Sequence, residues 1–106
     1  MLSKKLIIAM MFILMLAAGS AQAGGDAANG KPLAEACADC HGDDGMGDED
    51  FPAIAGMDAA EHSKALADFK SGARPDEDEM MVDAVADLSE QDMADLAAYY
   101  ATLPGQ

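Results

Sequence analysis

Apolar and polar positions along this chain follow two patterns. An unbroken apolar run spans Leu6 to Ala18, and beyond residue 24 the larger apolar side chains recur at spacings near 3.6. Nowhere do four β-branched or aromatic residues alternate with polar ones, so helix is the only regular structure on offer. Three segments qualify. The first, about Asn29 to Ala36, has Asn29 as a candidate N-cap and Pro32 near its start, where a missing N–H costs least. The second, Asp58 to Ser71, turns Ala59, Leu66 and Phe69 inward and stops at Gly72, a residue suited to a left-handed cap. The third is the strongest. Ser89 caps it, Asp92 stands at its third position, and Met93, Leu96, Ala97, Tyr100 and Leu103 form one stripe before Pro104 and Gly105 end it. A shorter helical turn, Val82 to Asp87, precedes it. The segments His41 to Met57 and Gly72 to Met81 read as irregular, and two long loops in so small a chain suggest that both wrap around something.

The early apolar run has the form of an export signal. Lys4 and Lys5 precede it and Ala21-Gln22-Ala23 follows as a small-x-small cleavage site, so residues 1–23 are expected to be removed. Thirteen apolar residues are also few for a bilayer span, which makes a stable membrane anchor after cleavage the weaker reading. One domain, 24–106, would remain, and export places it in the periplasm.

Composition then changes the picture twice. Residues 24–106 carry 4 basic against 20 acidic side chains, a formal charge of −16. Nucleic-acid binding, which needs a basic footprint, is excluded. The same residues include only 17 apolar side chains larger than Ala or Cys. A chain so short of core usually needs a staple, a metal or a cofactor to fold. A disulfide between Cys37 and Cys40 would close too short a loop to remove much chain entropy.

Both cysteines stand in one run, Cys37-Ala38-Asp39-Cys40-His41. Two thiols three residues apart with an adjacent imidazole form the c-type haem attachment pattern: each sulfur can take one vinyl group of the same porphyrin edge, and the imidazole can reach the iron. A redox dithiol is disfavoured because no βαβ pattern surrounds the motif. Zinc would want a further protein ligand, and His62 is the only other histidine. One covalently bound haem c, with its iron, would supply the missing core.

From Gly24 onward the chain resembles a class I c-type cytochrome of the small single-haem bacterial periplasmic type. The matching pieces are Gly30, Cys37 to Gly42, Phe51-Pro52-Ala53-Ile54-Ala55-Gly56, Asp68 to Arg74, a Met pair, Leu88 to Met93, and Leu96 to Ala101. The resemblance implies an all-α small cytochrome c fold, three main helices plus a short one wrapped around the haem. It implies His41 as the proximal iron ligand, with its second ring N–H donated to the Pro52 carbonyl. Gly30 and Tyr100 match positions where the first and last helices cross closely. Ala34 and His62 depart from it, since relatives often carry aromatic residues there.

A low-spin carrier of this type takes a second axial ligand, commonly a Met thioether, which raises the potential. Met46 is too near His41 to reach the opposite face, Met93 belongs to the inward stripe, and Met57 is a weak candidate. Met80 and Met81 lie 39 and 40 residues beyond His41, in the irregular stretch. The resemblance places the ligand seven residues before Leu88-Ser89, at Met81, with Met80 as second choice. His62 reads as a partly exposed surface imidazole, with iron ligation as its alternative. Arg74 reads as a contact to a haem propionate or as a lone surface charge. The Asp43 to Asp50 loop lacks calcium-loop register and reads as a solvated turn.

No nucleophile–base pair is visible, so the expectation is an electron carrier and not an enzyme. Its partner would be a redox protein, with a basic docking surface to match the acidic charge. Alternatively, the acidity is adaptation to salt. Two rival functions stay open: a haem subunit of a larger complex such as a sulfide-oxidising flavocytochrome, which the Pro52 to Met57 and Phe69 to Gly72 stretches resemble, and a haem enzyme or gas-binding protein with an open iron position.

Overall fold

Asp26, not Asn29, starts the first helix. In the computed structural model, which describes residues 24–76 and 79–105, helix α1 runs Ala27–Leu33. The Asp26 carboxylate accepts from the backbone N–H groups of Ala28 and Asn29. The expected export signal lies outside the described residues. Pro32 falls inside α1, and the chain tightens at Ala34, whose N–H is shared between the Gly30 and Lys31 carbonyls. A second helix, α2, then spans Glu35–His41. The one helix expected over Asn29 to Ala36 is therefore two, because a prolyl nitrogen cannot donate and its ring crowds the preceding turn.

Helix α3, Ala59–Ser71, matches its reading at both ends: Asp58 accepts from the Glu61 N–H, and Gly72 takes the left-handed conformation at φ 83°. Helix α4 is Met80–Val85, two residues earlier than the expected turn. Its start is set by polar contacts that periodicity does not register. Glu79 adopts φ +55°, and the Asp76 carboxylate accepts from the Met81 N–H at 2.7 Å. Met80 and Met81 thus lie on a helix and not in an irregular stretch. Helix α5, Glu90–Ala101, opens on a complete capping box between Ser89 and Asp92.

All regular structure among the described residues is helical. Helix α5 is the axis of the fold: α1 and α3 both pack on it, and α4 packs on α3. The buried cluster joins Leu66, Val85, Met93, Leu96 and Tyr100 with Ala34, and Cys37, Ile54, Phe69 and Met81 lie half-buried against it. The α1–α5 approach depends on glycine. A Cβ at Gly30 would overlap the Asp95 carbonyl and stand 2.9 Å from the Tyr99 Cβ. The close crossing therefore pairs Gly30 with Asp95 and Tyr99, while Tyr100 points its hydroxyl to the Ala34 carbonyl, 3.5 Å away. Beside Ala34 an open groove of about 430 Å³ lies between α1–α2 and Tyr99–Tyr100, where the resemblance expects an aromatic ring.

Candidate haem site

Helix α2 exists to carry three side chains. Cys37, Cys40 and His41 stand at i, i+3 and i+4, which places them on one helical face. Both thiols are free and half-buried, while the imidazole is 7% exposed. Burial pushes the Cys37 thiol above its ordinary value. Gly42, at φ 87°, ends the helix and turns the chain into a tight loop.

That loop folds back on the histidine. The Gly47 N–H donates to the His41 carbonyl at 2.8 Å, and the Ile54 and Ala55 N–H groups share the Gly45 carbonyl. Asp44 accepts from the Met46 N–H, and Asp48 accepts from those of Asp50 and Phe51, so these carboxylates close turns. No cluster of three or more metal-binding side chains occurs among the described residues. The result is that the Pro52 carbonyl oxygen lies 2.7 Å from His41 Nδ1. A carbonyl only accepts, so Nδ1 carries the proton and Nε2 keeps its lone pair. Phe51 meets the same imidazole edge-on at 6.3 Å.

The other candidates separate by burial. Met81 packs against the buried cluster, whereas Met80 is 49% exposed. Met93 is buried within that cluster. Arg74 is exposed, with its guanidinium 4.6 Å from the Phe69 ring centroid. His62 corrects the reading of a surface imidazole: it is 4% exposed, because it falls on the inward stripe of α3 between Ala59 and Leu66. Its ring tilts against Tyr100 at 5.6 Å, and burial lowers its pKa.

Asp95 is the buried residue that sequence reasoning missed. Its carboxylate accepts from the Asp26 N–H at 2.7 Å and from the Gln91 amide at 2.8 Å, tying the entry of α1 to α5. The only hint in the sequence is the Gln91–Asp95 spacing of four on a helix.

The donor set fits a covalently attached haem. Cys37 and Cys40 would hold it as thioethers, and His41, with its proton fixed on Nδ1, offers Nε2 to iron. The described residues bury only eight apolar side chains of their own, three of them Ala, so a large apolar group completes the core. When bound, haem c supplies an iron that alternates between ferric and ferrous states. An all-helical chain with this site is a small haem-c protein.

Comparison with known proteins agrees. The family model for cytochrome c matches residues 27–104, and the chain belongs to that family. Cytochrome c4 of Pseudomonas aeruginosa is 39% identical over 99 residues, which cover 92% of this chain and 48% of that protein. Cytochrome c-554(547) of Halothiobacillus neapolitanus is 42% identical over 89 residues, 74% of this chain and 98% of that one. Among solved structures, reduced recombinant cytochrome c4 from Pseudomonas stutzeri superposes with a TM-score of 0.68 at 28% identity, covering 76% of this chain and 52% of that one. The chain spans about half the length of its cytochrome c4 relatives. As a member of that family it carries covalently attached haem c.

Proposed function

We propose that residues 24–106, freed of their export signal, form a periplasmic domain that carries one electron at a time between redox proteins and catalyses no reaction of its own. In this reading Cys37 and Cys40 anchor the haem, His41 and Met81 are the axial ligands, Pro52 orients His41, and Arg74 meets a haem propionate. The observation that carries it is the His41–Pro52 hydrogen bond, which leaves Nε2 as the free donor of a buried imidazole on the thiol-bearing helix. The half-burial of Met81 supports it over the exposed Met80 as second ligand. No helix among the described residues is long and apolar enough to cross a membrane.

The test is the mass and spectrum of the exported protein. Intact mass should equal residues 24–106 plus one haem, acid-acetone should leave the haem on the polypeptide, and both oxidation states should be low-spin. Haem released by acid-acetone would overturn the reading. Carbon monoxide binding to the ferrous protein at neutral pH would replace the carrier with an open-site haem protein.

A further inference from the structure

Helix α4 carries both candidate methionines on six residues, Met80–Val85, and successive side chains on a helix point about 100° apart. A turn of one residue about its axis therefore exchanges the exposed Met80 with Met81, which lies half-buried against the same cluster as Cys37. Something must hold the register. Val85, four residues on from Met81 and 2% exposed, marks the inward face at the far end. At the near end, which carries the thioethers, the ordinary cap is missing: Glu79 stands at the N-cap position and its side chain caps nothing. Among the described residues Glu79 is also the one non-glycine residue with a positive φ, +55°, a conformation that persists only where the surroundings enforce it.

Asp76 enforces it twice. Its backbone carbonyl accepts from the Glu79 N–H at 3.1 Å, and its half-buried carboxylate accepts from the Met81 N–H at 2.7 Å. The first bond holds the bend at Glu79, and the second satisfies an N–H that the opening turn of a helix leaves without an intrahelical partner. The residue held is Met81 itself. We propose that Asp76 is a positioning residue for the sixth iron ligand, fixing the Met81 backbone so that its thioether stays on the iron and resists replacement by other ligands. The inference rests on the function proposed above, in which Met81 is that ligand. A thioether is a soft donor and binds ferric iron more weakly than ferrous. In the ferric state its retention depends most on the chain that carries it, and there the contact with Asp76 has its effect.

The test is imidazole binding to the ferric holoprotein, which at saturating imidazole runs at the rate at which the axial thioether leaves. Asp76→Ala should raise that rate about five- to tenfold, the size of one lost helix cap. Asp76→Asn keeps an accepting side-chain oxygen and should restore most of the wild-type rate. With Met81→Ala already present, Asp76→Ala should leave imidazole binding unchanged. In the wild type, NMR should show a Met81 amide that exchanges slowly with solvent although it lies in the first turn of its helix. Fast exchange there would overturn the proposal without any variant. So would a fall in urea stability of Asp76→Ala with an unchanged imidazole rate, since that is what a merely structural contact produces. An Asp76→Asn rate as high as that of Asp76→Ala would overturn it by assigning the effect to charge, and an undiminished effect beside Met81→Ala would place the action elsewhere. Wild-type imidazole kinetics in Met81→Ala alone would instead overturn the ligand assignment on which it rests.

Discussion

Pro52 decides which nitrogen of His41 carries the proton. The 2.7 Å contact between its carbonyl oxygen and Nδ1 is set by backbone several residues away, because Gly47 donates to the His41 carbonyl and adopts φ +67°. A Cβ at Gly47 would overlap the Phe51 carbonyl and crowd that of Pro52 at 2.7 Å. Gly47→Ala should therefore displace the Pro52 carbonyl. We expect a loss of stability of about 1–3 kcal/mol and a rise in reduction potential, since a histidine without its acceptor is a less basic ligand. Denaturant titration and protein-film voltammetry would check the two effects. A lost stability with an unchanged potential would separate the loop from the iron.

Met80 and Met81 are neighbours, one exposed and the other half-buried, and the Asp76 carboxylate fixes the register by accepting from the Met81 N–H. Met81→Ala should abolish the weak sulfur-to-iron absorption band of the ferric protein and lower the potential, whereas Met80→Ala should spare both. Reversal of the two outcomes would mean that α4 rotates by one residue when haem is bound.

Two glycines make a stability comparison with a built-in control. Gly30→Ala drives a methyl group into the Asp95 carbonyl, a backbone atom that cannot move without separating α1 from α5. Gly72→Ala meets nothing within 4 Å and strains only a φ of +83°. Overpacking of this kind costs about 3 kcal/mol, against roughly 1 kcal/mol for Ala at the left-handed cap. Urea unfolding of the holoprotein should rank them in that order. Equal losses would show that the helix crossing relaxes freely.

Burial pushes the Tyr100 phenol above its ordinary value of 10.0. A group whose folded pKa is raised keeps its full contribution below the unfolded value and loses it as pH rises further. Stability should accordingly decline above pH 10.0, as the unfolded chain ionises a phenol that the fold keeps neutral. Tyr100→Phe gives up a long hydrogen bond to Ala34, costing about 0.5–1 kcal/mol near neutral pH, and should flatten the alkaline decline. Thermal melts from pH 8 to 11 on both proteins would read the difference, and parallel profiles would remove Tyr100 as the cause.

Much of this was legible in the sequence. The ends of α3 and the capping box of α5 follow from single residues, Asp58, Gly72, Ser89 and Asp92, whose side chains act on backbone within three positions. The start of α1 was misread because Asp26 and Asn29 are both good caps, and the choice falls to a long-range contact: Asp95 holds the Asp26 N–H. His62 reads as a surface residue when polarity is set against position, and Asp95 draws no reading from the sequence at all. His62 lies three residues after Ala59 and four before Leu66, and that spacing alone marks it as inward. What spacing could not tell is that its Nδ1 would be left without a partner.

The final prediction concerns the acidic surface. Asp39, Asp43, Asp44, Asp48, Glu49 and Asp50 are all exposed; Asp39 lies on the haem-binding helix and the others follow it. Charge concentrated beside the site steers the encounter with a basic partner, and because electron-transfer complexes are small and transient, steering counts for more than buried area. Exposed carboxylates also occur away from the Cys37 to His41 helix and from Met81, at Asp87 and Glu90, as a salt-adapted surface would have them. The two causes predict opposite salt profiles. Under steering, the second-order rate with the redox partner falls between about 0.01 M and 0.15 M salt, as the screening length shrinks from ~30 to ~8 Å. Under salt adaptation, that rate is flat while thermal stability climbs over the molar range as counter-ions relieve self-repulsion. We expect the falling rate. Asp43→Asn and Asp44→Asn together should weaken its salt dependence, while Asp87→Asn and Glu90→Gln should leave it near wild type. Stopped-flow kinetics across that range decides it, and equal effects from the two pairs would mean that the acidity acts as a whole and not at the haem edge.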